Sequence, residues 1–97
     1  MPKISDESEE KINFNSSNYP NLFNPTTKIN YSIPETGLVL IKVYDMLGKE
    51  IGTLVNEKKP SGHHEVEFDG RSLPSGIYFY SINYNNQILT RKMILLK

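Results

Sequence analysis

The chain contains no cysteine and no tryptophan, and its only histidines are His63 and His64. Without cysteine there is no disulfide framework, no thiolate metal ligand and no thiol nucleophile. Adjacent histidines on a strand point to opposite faces, so the two cannot enter one cluster. Long apolar runs are also missing: nothing approaches the roughly 20 residues of a membrane-spanning helix. Met1-Pro2-Lys3 lacks the charged-then-apolar pattern of an export leader. We therefore expect no transmembrane segment and no export signal within the chain's own N-terminus. An excess of charge of either sign is absent too, with 11 basic residues against 11 acidic ones and no basic cluster. That removes the electrostatic case for nucleic acid as a partner. A length of 97 residues leaves room for one thin core, burying about two thirds of the extended chain's surface.

What is present divides in two. Residues 1 to 15 carry Asp6, Glu7, Glu9 and Glu10 against Lys3 and Lys11, with no large aromatic before Phe14. Such a stretch cannot bury enough apolar surface to offset its ordering entropy. It reads as a flexible linker or an appended segment, with the domain proper spanning residues 16–97. From Asn18 onward short β-rich runs alternate with Pro, Gly and Asn. Seven strands are expected. A short one at Leu22–Phe23 is confined to an edge by Pro20 and Pro25. Next come Lys28–Ile33, with Ile29, Tyr31 and Ile33 alternating, and Leu38–Tyr44, apolar almost throughout and so expected at the centre with both faces covered. Glu50–Val55 follows with a bulge near Gly52, then a run over His64–Asp69. Ile77–Tyr84 places Tyr78, Tyr80, Ile82 and Tyr84 on one face. Asn85-Asn86 suits a two-residue hairpin with positive φ at both positions, pairing that strand antiparallel with Gln87–Leu96. About seven antiparallel strands at this spacing describe an all-β, immunoglobulin-like β-sandwich, with a small barrel as the alternative.

Candidate chemistry is sparse. Glu65, Glu67 and Asp69 share one strand face, but acid–base or cation work needs a concave setting that a short strand's solvated face does not supply. Asp45, before Met46-Leu47-Gly48, fits a turn acid bonded to local backbone. Glycines are spread one per turn or bulge, with no phosphate-cradling loop. Tyr31, Tyr44, Tyr78, Tyr80 and Tyr84 could stack on sugars or fill a core that lacks tryptophan. Tyr78 also suits a corner anchored through its hydroxyl. No catalytic constellation, cofactor or metal site is expected.

Four segments carry a resemblance: Asn18-Tyr19-Pro20-Asn21-Leu22-Phe23-Asn24-Pro25-Thr26-Thr27-Lys28-Ile29, Val43-Tyr44-Asp45-Met46-Leu47-Gly48-Lys49-Glu50-Ile51, Leu73-Pro74-Ser75-Gly76-Ile77-Tyr78-Phe79-Tyr80 and Thr90-Arg91-Lys92-Met93-Ile94-Leu95-Leu96-Lys97. Together they resemble the C-terminal sorting domain of type IX secretion cargo in the Bacteroidetes and their relatives. Leu22 and Phe68 depart from the residues commoner there. The resemblance implies a non-enzymatic address on a larger cargo fused upstream. Such cargo reaches the cell surface or exterior through the periplasm. Its partners are the type IX translocon, outer-membrane shuttle components and a surface peptidase that cuts before the domain, after which lipopolysaccharide is attached. It marks Gly76, Ile77 and Tyr78, and Lys92, Met93, Ile94, Leu95, Leu96 and Lys97, as residues for translocon recognition. Closing a sandwich suffices to explain Met93 and Leu95 but not Lys97. Rival readings are a carbohydrate-binding or structural module of an extracellular enzyme, and an assembly domain like that of flagellar hook caps, to which the Val43–Glu50 stretch is also similar.

Overall fold

In a computed structural model, described over residues 13–19, 22–23 and 25–96, the alternation seen in the sequence becomes two packed sheets. The strands are β1 (Asn15–Tyr19), β2 (Leu22–Phe23), β3 (Thr26–Ile33), β4 (Gly37–Asp45), β5 (Glu50–Lys59), β6 (Gly62–Asp69), β7 (Gly76–Tyr84) and β8 (Gln87–Leu95). A three-stranded sheet has the order β1-β3-β6, and a five-stranded sheet the order β2-β8-β7-β4-β5. Neighbours pair antiparallel except for β2, which lies parallel to the end of β8 with Leu22 opposite Ile94 and Phe23 opposite Leu95. No helix among the described residues is long and apolar enough to cross a membrane.

Strand periodicity decides what is buried, because alternate side chains leave a strand on opposite sides. From the smaller sheet, Ile29, Tyr31, Ile33 and Phe68 point inward. From the larger come Val39, Ile41, Val43, Val55, Tyr78, Tyr80, Ile82, Tyr84, Met93 and Leu95. The all-β sandwich expected from the sequence is thus the fold observed. Asn85 and Asn86 take φ values of 50° and 64°, the left-handed pair required by the hairpin joining β7 to β8. Irregularity near Gly52 also holds, since the β4–β5 register skips Leu54 and Ile51.

Three details differ from the sequence reading. The centre of the larger sheet is β7, with β4 one place towards the edge. The continuous apolar run of β4 does not signal cover on both faces, for Leu38 is 61% exposed. And β1, an eighth strand, is built from the polar segment Asn15–Tyr19, whose inward residues are Ser16 and Asn18. Packing continues towards the N-terminus past the expected boundary at residue 16. The Phe14 ring lies tilted against Tyr84 at 5.2 Å, and the Ser32 hydroxyl donates to the Asn13 carbonyl at 2.7 Å.

Polar atoms taken into this core are partnered, as their desolvation requires. The Ser16 hydroxyl donates to the Asn30 carbonyl at 2.8 Å and lies 2.8 Å from the Tyr80 hydroxyl. Because a serine has one proton to give, Tyr80 is the donor in the second bond. Arg91 Nε donates to the Ser16 carbonyl at 3.1 Å. These contacts fasten β1 to β7 and β8 across the sandwich. At one end of the molecule Tyr84 and Glu35 lock reciprocally: the hydroxyl donates to the Glu35 carbonyl at 2.8 Å and accepts from its N–H at 3.1 Å.

Candidate recognition surface

Sequence reasoning marked two segments far apart in the chain, and the antiparallel register of β7 and β8 lays one on the other. Gly76 faces Leu95, Ile77 faces Ile94, Tyr78 faces Met93, and Phe79 faces Lys92. Alternation then divides the marked residues by role. Tyr78, Met93 and Leu95 are buried, whereas Ile77 and Ile94 are half-buried on the outer face and Lys92 is exposed. Leu96, just past the strand, is 50% exposed. Lys97 lies outside the described residues.

Local chemistry fixes this end of the sandwich. The Tyr78 hydroxyl donates to the Pro74 carbonyl at 2.6 Å, the corner anticipated from the sequence. Gly76 adopts φ +156° with open space around it. The preference for glycine here is therefore a backbone matter, since a side chain is disfavoured by conformation rather than by crowding. Beside it, Asp45 organises the β4–β5 turn: its Oδ1 accepts from the Leu47 and Lys49 amides, both at 2.9 Å. The Gly48 amide returns to the Asp45 carbonyl at 3.0 Å with Gly48 at φ +87°. Asp45 is the turn acid expected, and its carboxylate is engaged with backbone. The turn holds Met46 and Leu47 outward, the latter 91% exposed. With Ser75, Gly76 and Ile77 they border a shallow cavity of about 200 Å³. Sequence reasoning did not assign these two residues a role. The available signal was two large apolar side chains in an otherwise polar turn.

Other candidates separate. His63 is exposed at the start of β6, while His64 turns inward and stacks on Tyr31, ring centroids 5.3 Å apart at 27°. Its Nε2 lies 2.7 Å from the Pro60 carbonyl; a carbonyl only accepts, so this nitrogen carries the proton. No group of three or more potential metal ligands occurs among the described residues. Glu65 and Asp69 stand on the outer face of the smaller sheet. Glu65 is 4.0 Å from Lys28, and Asp69 pairs with Arg71 at 2.6 Å, a hydrogen bond that holds the Asp69 carboxyl below its ordinary range. Of the five tyrosines considered for sugar stacking, Tyr31, Tyr78, Tyr80 and Tyr84 are in the core and Tyr44 is half-buried. They form no exposed platform.

The last strand is not an open edge at its end. Over Ile94 and Leu95 its free side is taken by β2, so a receptor reaching those residues meets their outer face or the chain beyond.

No curated protein and no solved structure matches the chain. A family profile does: that of the secretion system C-terminal sorting domain, over residues 17–96, from β1 to just past β8. That family is not known for catalysis, and membership favours neither the sugar-binding nor the hook-cap reading. A sandwich whose marked segments pair at one end, matched along nearly its whole length, belongs to the family of C-terminal sorting domains, the signals that direct a fused cargo protein to the type IX secretion machinery for secretion or display at the cell surface.

Proposed function

We propose that the address is read at the β7–β8 end, by contact with the outward side chains of Ile77, Lys92, Ile94 and Leu96 and with Lys97, while Gly76, Tyr78, Met93 and Leu95 hold the strand pair in shape. The observation that carries this is the register: the two marked segments are cross-strand partners rather than separate features. Cross-strand neighbours on one face form a continuous surface, and at Ile94 and Leu95, where β2 covers the edge of β8, a face of side chains is the part left accessible. In this reading the cargo crosses the inner membrane with its own leader, folds in the periplasm and is delivered by translocon and shuttle components. A surface peptidase cuts in the acidic segment before Asn13, upstream of the sandwich, and the chain itself performs no catalysis and holds no cofactor.

The test fuses the 97-residue chain to the C-terminus of a folded, periplasm-directed reporter in a bacterium with type IX machinery. Deleting the whole segment from Lys92 onward would also remove Met93 and Leu95 from the core. The informative variant therefore combines K92A, I94S, L96S and K97A and keeps the inward residues. Surface delivery of the parent and periplasmic retention of the variant, with an unchanged melting curve, are expected. Delivery of both would refute the assignment.

A further inference from the structure

The strands differ in what holds them to the sandwich. β5 and β6 each seat one apolar side chain in the buried core, Val55 and Phe68, and β3, β4, β7 and β8 each seat two or more. β1 seats none. Its inward residues are Ser16 and Asn18, and Tyr19 is 78% exposed. It stands at the edge of the smaller sheet and pairs with β3 over five residues. Polar contacts hold it there: Ser16 to the Asn30 carbonyl and to Tyr80, Arg91 to the Ser16 carbonyl, and Asn18 to Thr27. Just upstream, the partly buried Phe14 ring against Tyr84 and the Ser32–Asn13 bond add to the attachment.

The two kinds of anchor answer differently to water. A hydrogen bond broken at a seam is largely replaced by one to solvent, whereas newly exposed apolar surface has no such compensation. We infer that residues 14–19 form a releasable strap, which lifts from β3 and β8 as one unit while the two sheets stay packed. The buried core lies wholly outside these residues, and segments with few buried apolar contacts are the ones that open below the global free energy. Water entering the vacated seam takes the place of Ser16 beside the Tyr80 hydroxyl and Arg91. Release is a peeling from Phe14 inward, in the absence of load. Because the chain arrives from its cargo through this strap, release carries the accessible junction as far as Tyr19, in the extended form on which peptidases act, with the β7–β8 end unchanged. The inference does not depend on which face of the sandwich is recognised.

Native-state hydrogen exchange of the 97-residue chain, followed by NMR as urea is raised, tests the strap. The β1 amides bonded to β3 are expected to be protected at least about a hundredfold less than those of Ile41 and Ile82, and their exchange should hardly respond to urea because little surface is exposed. Amides of β3 directed at β1 should share that behaviour, while amides of β3 directed at β6 follow Ile41. V55A, in the edge strand β5 of the other sheet, should lower the protection of Ile41 and Ile82 about tenfold. It should leave β1 as in the parent, since the released state keeps residue 55 packed. One protection level and one urea slope across β1 and the core, or an equal loss in β1 on V55A, would overturn the inference. Subtilisin added to the folded chain should cut between Phe14 and Tyr19 before it cuts within β3 to β8, at a rate that V55A does not alter. Cuts appearing in both regions together would overturn it as well.

Discussion

At the scale of single residues the most consequential contact is the one between Ser16 and Tyr80. The Tyr80 ring is wholly buried and its hydroxyl has Ser16 as its partner. Removing either side of a buried hydrogen bond is not symmetrical, because an orphaned polar group keeps its desolvation penalty. Y80F should cost about 1 kcal/mol, since Ser16 keeps the Asn30 carbonyl; S16A, which strands the phenol, should cost about 1–3 kcal/mol. The double variant should lie close to Y80F, and urea titrations of the three would show it. Burial holds the Tyr80 phenol above its ordinary value, against the opposing pull of Ser16 and Arg91, and burial does the same for Tyr31. The native chain therefore binds protons that the unfolded chain has released above about pH 10. Stability is full below that pH and falls as pH rises through the native values. Y80F should remove part of that fall, and a urea midpoint unchanged between pH 9 and pH 11.5 in the parent would contradict the linkage.

At the scale of elements, strands with apolar alternation were legible and polar ones were not. Ile29, Tyr31 and Ile33 announce β3, and Asn85-Asn86 announces the β7–β8 hairpin, because in each the local chemistry and the final environment agree. β1 escaped notice because its buried positions are Ser16 and Asn18. Its anchorage is by hydrogen bonds, including Asn18 Nδ2 to Thr27 Oγ1 at 3.3 Å, which no hydrophobic pattern records. β4 misled in the opposite sense: Leu38, Leu40 and Tyr44 belong to an outer face, so apolar residues on both sides of a strand can mean one core face and one outer face left partly exposed. The two faces are separable by experiment. I41D places a charge without a partner in the core and should abolish folding, a loss of more than about 4 kcal/mol. L38D, at a position 61% exposed, should change the melting temperature little. Equal effects in a thermal melt would refute the assigned alternation. The candidate site was legible as two separate strings. Their pairing depends on register between strands, which no single segment encodes.

At the scale of the whole molecule, the chain enters and leaves at opposite ends. Phe14 and Asn15 lie by Tyr84 and Ser32, whereas Leu95 lies opposite Gly76 at the far end of β7. The nine residues of β8 separate the two ends by about 30 Å. A cargo joined upstream therefore hangs from the end remote from the marked residues and does not obstruct them. It also lets single substitutions be sorted by the face they touch. M93A, which empties part of the core, should cost about 2–5 kcal/mol and impair delivery only as far as it unfolds the domain. I94S should impair delivery with the fold retained. A melting curve measured beside each export assay distinguishes the two.

The same arrangement has a mechanical consequence. β1 and β8 run in the same sense from the cargo end to the terminal end, joined by Arg91 and Ser16, and β2 lies parallel to the end of β8. Tension applied between the two ends of the domain is directed along these strands, so the β1–β3 ladder and the Arg91–Ser16 bond are loaded in shear instead of opening one by one like a zipper. A domain that serves as an address is thereby also built as a fastener, its strands laid along the line that joins its two ends.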